Sequence, residues 1–282
     1  MTEDRWFRPD IARLRAVAVA LVVLFHAGVT QLGGGFVGVD VFFVLSGFLI
    51  TGLLLRERES RGSTSLPNFY ARRVRRILPA ATLVLTVTIV ASYQWLGFLR
   101  ANVVAADGQW TALFAANLHF AIQGTQYLNQ LAPPSPLQHY WSLAVEEQFY
   151  LVWPLLLLIV AKLGRPETMR ARLTVVLGAI ILVSFAWSVV QTSQDANTAF
   201  FSPLTRAWEL AIGALLAVSV PLLLRLPARL GPWLSWIGLA GIVVSAFLLN
   251  GDTSFPGYAA ALPVLGAALA VAGGTGQARR WR

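Results

Sequence analysis

The sequence predicts an all-α fold: a polytopic membrane helix bundle of about eight transmembrane helices, with an extracytoplasmic interfacial helix beside it. Three observations predict this. Hydrophobic residues fill 56% of the 282 positions and charged residues only 12%, about half the ~25% of ordinary soluble domains. The apolar residues gather in runs near the ~20 residues a helix needs to cross a bilayer. The net charge is +9, and the positive residues fall between alternate runs. Such a composition excludes a disordered chain, a coiled coil and an ordinary water-soluble globule. With no cysteine in the chain there is no disulfide framework, thiolate metal site or cysteine nucleophile. His26, His119 and His139 are too far apart for metal-ligand spacing, so no metal is expected.

The spans are expected at 11–30, 37–55, 77–98, 140–161, 173–191, 204–221, 233–250 and 257–274. The first follows a basic segment, as the core of a signal peptide would. No persuasive small-residue cleavage site follows it and further spans come after, so it is read as a retained helix. A cytoplasmic N-terminus then puts inside Arg5, Arg8, Arg13 and Arg15, then Arg56, Arg58 and Arg61, then Arg72, Arg73, Arg75 and Arg76. Lys162, Arg165, Arg170, Arg172, Arg225, Arg229, Arg279, Arg280 and Arg282 join them, making 20 of the 22 basic residues. Only Arg100 and Arg206 fall elsewhere, which satisfies the positive-inside rule. Residues 99–139 must then begin and end outside. The stretch Ala101–Gln123 is moderately apolar but carries Asp107, Gln109, Asn117 and His119, so it reads as an interfacial or re-entrant helix. It leads to the proline-rich loop Ala132-Pro-Pro-Ser-Pro136. No repeat of 20–50 residues is visible, and residues 1–282 read as one integral membrane domain.

Charged side chains within spans cost at least ~2.5–3.5 kcal/mol at mid-helix and are functional by default. Here they are His26, Asp40, Glu146, Glu147, Arg206 and Glu209. His26 lies eleven residues beyond Arg15, about 16 Å higher along a helix, in the outer half of the bilayer. Asp40, the two glutamates and the Arg206–Glu209 pair enter their own spans from the same side. A histidine, up to four carboxylates and an arginine at one depth have the character of a site. Local readings stand beside this one. Arg206 and Glu209 are spaced to pair with each other. Adjacent helix residues point ~100° apart, so only one of Glu146 and Glu147 is expected to face the interior. Asp40 follows Gly33-Gly-Gly35 and Gly38 and is placed to cap its helix. His26 is either a core histidine with one partner or a catalytic group. His119 reads as a packing or interface residue, and His139, beside Tyr140-Trp141, as part of an aromatic belt.

The run Phe69-Tyr-Ala-Arg-Arg-Val-Arg-Arg-Ile-Leu-Pro79 has two readings. It is an anchor for anionic lipid, or a phosphate-binding surface for a polyanionic cofactor, since guanidinium forks match phosphate oxygens. No P-loop and no Gly-x-Ser-x-Gly elbow is present.

Five blocks carry a resemblance. Arg8-Pro-Asp-Ile-Ala-Arg-Leu-Arg-Ala-Val-Ala-Val is followed by His26 in Phe-His-Ala, and then by Gly35-Phe-Val-Gly-Val-Asp-Val-Phe-Phe-Val-Leu-Ser-Gly-Phe-Leu-Ile50. The basic run 69–79, Trp141-Ser-Leu-Ala-Val-Glu-Glu-Gln-Phe-Tyr150 and Ser202-Pro-Leu-Thr-Arg-Ala-Trp-Glu209 complete the set. In this order, over residues 8–209, they resemble acyltransferase family 3, the bacterial membrane O-acyltransferases of cell-surface polysaccharide, lipopolysaccharide, peptidoglycan and smaller acceptors. The resemblance implies transfer of an acyl group, usually acetyl, from cytoplasmic acyl-CoA as co-substrate to an acceptor hydroxyl at or beyond the outer face of the cytoplasmic membrane. The family's Arg and His fall on Arg15 and His26, its acidic motif on Glu146 and Glu147, and its basic motif on Arg72, Arg73, Arg75 and Arg76. Trp141, Ser142, Arg206 and Glu209 are expected to support the site. The resemblance also implies about ten spans and a later Ser-Tyr pair and Trp-His-Trp-Pro run. These are missing, so the chain is expected to be a fragment or a truncated homologue.

Acyl transfer to a hydroxyl needs a base, a stabiliser for the oxyanion and a held thioester. His26 is the expected base, with Glu147 or Asp40 orienting its other nitrogen; a covalent acyl-histidine is the variant route. Arg15 and the 72–76 arginines are expected to hold CoA phosphates. Two competing readings are a transporter or flippase using the charges as a proton relay, and an enzyme of the other large membrane O-acyltransferase family. The latter would use His119 and Asn117 and would need His119 in a true span.

Overall fold

A computed structural model describes residues 8–125 and 133–277. Arg5, Ala132, Arg279, Arg280 and Arg282, used above, lie outside the described residues. Among the described residues twelve α-helices run in the order α1 (Pro9–His26), α2 (Gly38–Arg61), α3 (Leu66–Trp95), α4 (Phe98–Ala112), α5 (Ala116–Thr125) and α6 (Tyr140–Lys162). Then come α7 (Met169–Gln194), α8 (Ala196–Phe201), α9 (Pro203–Val218), α10 (Val220–Leu223), α11 (Leu230–Leu248) and α12 (Ala261–Gln277). No strand occurs among the described residues.

Local chemistry sets many of the ends. Proline in the first turn of α1, α3 and α9 supplies a fixed φ where no amide partner is needed. Asp195 caps α8 by accepting from the Thr198 amide at 3.1 Å. Gly62, at φ +70°, ends α2 in the left-handed conformation that stops a helix.

Each of the eight expected spans coincides with a helix. Those beginning at Gly35, Leu66, Tyr140, Pro166 and Leu230 are long and apolar enough to cross a membrane, which makes this a multi-pass membrane protein. The other three, α1, α9 and α12, are shorter, at 18, 16 and 17 residues. Of these, α9 is buried along most of its length. A helix enclosed by other helices is not held to bilayer thickness, which is why hydropathy alone undersells it.

The helices alternate in direction and give the bundle two ends. One end carries the C-termini of α1 and α7 and the N-termini of α2, α6 and α9. Contacts there include Gly34 N to Ala246 O at 3.0 Å and Gly257 N to Thr192 Oγ1 at 3.0 Å. The opposite, basic end is tied by Arg8 to Thr275 and by the Arg170–Glu59 ion pair.

At the centre α2 crosses α9 with backbones nearly touching. A Cβ on Gly47 would strike the Leu210 carbonyl, and one on Gly213 the Val44 carbonyl. Small residues allow this approach, and dispersion then holds helices together where lipid offers no hydrophobic gain. Gly238 and Gly266 do the same for α11 against α12. By contrast, the apolar stretch of α3 is unburied, and its buried residues Phe69 and Ser92 sit near its two ends.

One element differs from expectation. The segment 101–123 is not a single interfacial helix but two, α4 and α5, broken at Phe114, whose φ is +53°. A left-handed non-glycine residue costs about 1–2 kcal/mol. Here Gln148 of α6 holds the break by donating to the Phe114 carbonyl at 3.0 Å. Asn117, fully buried, completes the brace by donating to the Phe201 carbonyl at 3.2 Å and accepting from Gln148 at 2.9 Å.

Candidate active site

Three groups of polar side chains occupy the end of the bundle that carries His26 and its middle. The deepest joins α2 to α9. Arg206 Nη1 donates to Asp40 Oδ1 at 2.7 Å and to Glu209 Oε1 at 3.0 Å, and Nε donates to the Phe200 carbonyl at 3.2 Å. All three charged side chains are at most 1% exposed. The guanidinium also lies over the rings of Trp141, Phe200 and Phe255, 5.5, 5.1 and 5.0 Å from their centroids, a favourable cation–π cage. The local pairing of Arg206 with Glu209 therefore forms, but it is half of the arrangement. Asp40, expected beside His26 or as a helix cap, is bound to Arg206, and no side-chain cap opens α2.

The second group links α2, α3 and α6. Ser46 donates to Glu146 Oε1 at 2.6 Å. Arg73 Nη2 donates to Glu147 Oε1 at 3.1 Å, and its guanidinium lies over the Tyr150 ring at 3.9 Å. Arg15 is near enough to Glu146 to act on it electrostatically. The expectation that only one of the two glutamates faces inward is corrected. They do diverge around the helix, but α6 lies between α2 and α3, so each finds a partner on a different neighbour. Glu147 therefore pairs with the basic segment and does not orient His26.

His26 makes its own arrangement. Its Nδ1 lies 2.8 Å from the Val22 carbonyl one turn back, and the side chain is exposed from the protein. A carbonyl only accepts, so Nδ1 carries a hydrogen, which in the neutral ring leaves the lone pair on Nε2. This corrects the expected carboxylate orienter: a backbone carbonyl fixes the tautomer. Arg15 and His26 share a face of α1, since eleven residues make just over three whole turns. That face is left open because α1 packs chiefly on α2, the 33–37 turns and α12.

At the basic end, Arg72 pairs with Glu57 at 3.1 Å and Arg75 Nε returns to the Ala71 carbonyl at 3.2 Å. Arg72, Arg75 and Arg76 are exposed, while Arg73 is turned inward. Trp141 packs edge-on to Phe43 and Phe201 in the core under the Arg206 cage. Ser142 donates to the His139 carbonyl at 3.4 Å, a local bond outside all three groups. Among the described residues, no cluster of three His, Cys, Asp or Glu side chains is placed to hold a metal.

The third group was missed by the sequence reading. On α4 and α5, Asp107 Oδ1 lies 2.9 Å from His119 Nε2 and 3.0 Å from Gln123 Nε2, and the indole of Trp110 stacks on His119 with 11° between planes. Asp107 and His119 are separated by the helix break, so no helical spacing announced them. Among the described residues α5 is not one of the helices long and apolar enough to cross a membrane, so the reading that required His119 in a span gains no support. His139, in the turn before α6, is pushed below its ordinary value by desolvation, with the neighbouring His26 ring acting in the same direction.

The fold and these groups define a multi-pass helical membrane protein with charged side chains gathered inside it. The sequence profile of the family described as "Acyltransferase domain" matches residues 8–282, and the chain belongs to that family. It is 35% identical over 224 residues to "Peptidoglycan O-acetyltransferase OatA" of Listeria monocytogenes, covering 77% of this chain and 35% of that protein. It is 34% identical over 238 residues to "Putative peptidoglycan O-acetyltransferase YrhL" of Bacillus subtilis, covering 81% and 36%. It is 32% identical over 259 residues to "O-acetyltransferase OatA" of Staphylococcus aureus, covering 87% and 41%. The chain thus spans only 35–41% of the length of these relatives. No solved structure matches it. The family membership does not favour the transporter reading.

Proposed function

We propose that residues 1–282 form the acyltransferase domain of a membrane O-acetyltransferase that takes acetyl from cytoplasmic acetyl-CoA and delivers it to a hydroxyl of cell-wall glycan. In this reading the N-terminus and the basic end face the cytoplasm, which the distribution of arginines supports, and the His26 end faces outward. The similar proteins named for peptidoglycan O-acetylation support the acceptor class. The single observation that carries the reading is a ladder of polar side chains between the two ends. It runs from the exposed Arg72, Arg75 and Arg76 to Arg73, Glu147 and Tyr150, then to Ser46 and Glu146 with Arg15 beside them. From Arg15 the open face of α1 leads to His26, about 16 Å further on.

In this reading the exposed arginines hold the CoA phosphates. The thioester lies along the open face of α1. The acceptor hydroxyl gives its proton to His26 Nε2, its oxygen forms the new ester bond, and the carbon–sulfur bond breaks to release the CoA thiolate, which takes up a proton. Arg15, about 16 Å from His26 along that face, lies too far from the reacting carbonyl to stabilise its oxyanion and joins the arginines that hold the CoA phosphates.

The test uses the full chain in oriented membrane vesicles with labelled acetyl-CoA on the basic side and cell-wall glycan on the other. His26→Ala is expected to abolish label transfer while leaving the protein level unchanged. Retained turnover in that variant would sink the assignment of His26. Neutralising Arg72, Arg75 and Arg76 together is expected to raise the acetyl-CoA concentration needed for half-maximal rate. An unchanged requirement would return this segment to the role of a lipid anchor.

A further inference from the structure

A cavity of about 220 Å³ lies outside the polar ladder, walled by α4, α5, α8 and the turn before α6. Drug-sized ligands occupy roughly 300–1,000 Å³, so this space suits one ring. Its lining is of two kinds. Phe120 and Phe201, 5% and 4% exposed, give apolar surface. Asp107, Gln123, Gln138 and Asn197 give planar polar groups that donate and accept in a plane. Arg100 braces the rim by donating to the Pro133 and Pro134 carbonyls.

The polar wall is held in place. Asp107, 1% exposed, is fixed through Oδ1 by His119 and Gln123. His119 in turn is clamped by the stacked Trp110, and Asn197 Nδ2 is tied to the Ala121 carbonyl at 3.2 Å. Asp107 has the His119 ring as its ion-pair partner rather than an arginine or lysine among the described residues, and enclosing a carboxylate so deeply costs solvation. Apolar faces beside fixed amide and carboxylate groups match a pyranose, whose C–H face is apolar and whose rim carries hydroxyls. The cavity also sits at the end of the bundle proposed above to receive the acceptor: Gln138 precedes His139, which feels the His26 ring.

We propose that this cavity is a saccharide subsite that seats one ring of the acceptor glycan, with the next ring extending toward His26. Asp107, Gln123 and Asn197 bond the ring's hydroxyl or amide groups, and Phe120 and Phe201 cover its apolar face. The inference rests on the glycan-acceptor reading but concerns different residues. The groups assigned are binding groups; the proton and acyl transfers stay at His26.

The experiment measures binding of an N-acetylglucosamine tetramer to the full chain in lipid nanodiscs, together with the acceptor and acetyl-CoA dependence of transfer. Val103→Trp fills the cavity from its wall without removing a hydrogen bond, and Gln138→Ala removes a polar group from the turn. Each is expected to weaken tetramer binding and raise the acceptor KM by at least tenfold, with the acetyl-CoA KM unchanged. Asp107→Asn is expected to do the same; should it fail to fold, Val103→Trp decides. Unchanged tetramer affinity in folded Val103→Trp and Gln138→Ala overturns the subsite, and if His26→Ala still abolishes transfer the proposed function stands. Tetramer binding that the cavity variants weaken, in a protein that transfers no acetyl to any glycan, would keep the subsite and reject the function.

Discussion

Two of the arginine–carboxylate groups, Arg206 with its carboxylates and Arg73 with Glu147, differ in their surroundings. Arg206, with Asp40 and Glu209, is sealed at 1% exposure or less under three aromatic rings. Arg73 and Glu147 are 17% and 20% exposed and continue into Tyr150 on one side and the exposed arginines on the other. A sealed pair cannot meet a substrate. Its value lies in joining α2 to α9, and its loss leaves uncompensated charge. A partly open pair pays less for desolvation and stays available to a ligand. The same residue types are therefore a strut in one place and, in the proposed function, working groups in the other.

The comparison breaks most easily at Arg206. Arg206→Met strands two buried carboxylates and is expected to cost about 3–5 kcal/mol, read as loss of folded protein in thermal unfolding in detergent. Adding Asp40→Leu and Glu209→Leu should restore much of that stability; a single variant as stable as the parent would disprove the strut. At the open pair the expected pattern reverses. Arg73→Gln, at a pair that keeps 17% and 20% exposure, should cost clearly less stability than Arg206→Met yet slow acetyl transfer roughly a hundredfold. Arg73→Lys should fall between, because lysine keeps the charge but loses the planar stack on Tyr150. Equal losses of stability at Arg73 and Arg206 would erase the distinction.

Smaller effects sharpen it. Ser46→Ala removes the hydrogen bond to Glu146 and is expected to cost on the order of 1 kcal/mol, with a slower transfer rate as the second readout. Asp195, outside the spans, is a control with no part in either group. The hydroxyl and amide of Thr198 hold its carboxyl below the usual range. The stability it contributes is thus present above the ordinary carboxylate value of 3.8 and is lost as pH falls through the lowered folded value. Asp195→Ala should cost about 1 kcal/mol at neutral pH and remove this share of the acid dependence.

Much of the fold was legible because span formation is local. Twenty apolar residues in a row must satisfy their backbone as a helix, and arginines between alternate runs set the alternation. The interruption of 101–123 at Phe114 was not legible, since it depends on Gln148 reaching across from α6. The Arg206–Glu209 bond was readable at three residues' spacing, while Asp40 joins it from 166 residues away. The Glu146 and Glu147 partners lie 100 and 74 residues away, and no periodicity encodes them. The His26 tautomer was within reach of sequence reasoning, because its partner is the carbonyl four residues back; the search for a carboxylate passed over it.

The sequence by itself determined the class of fold, the eight helical runs, the basic end and the choice of side chains that are costly inside a membrane. These follow from hydropathy and charge, which add up residue by residue. Only the tertiary structure decided which of the costly groups face each other, which are sealed and which stay open, and that a third polar group lines a cavity on α4 and α5. Those outcomes depend on how closely two backbones approach, as at Gly47 and Gly213. Close approach is a property of pairs of helices, and no single stretch of sequence carries it.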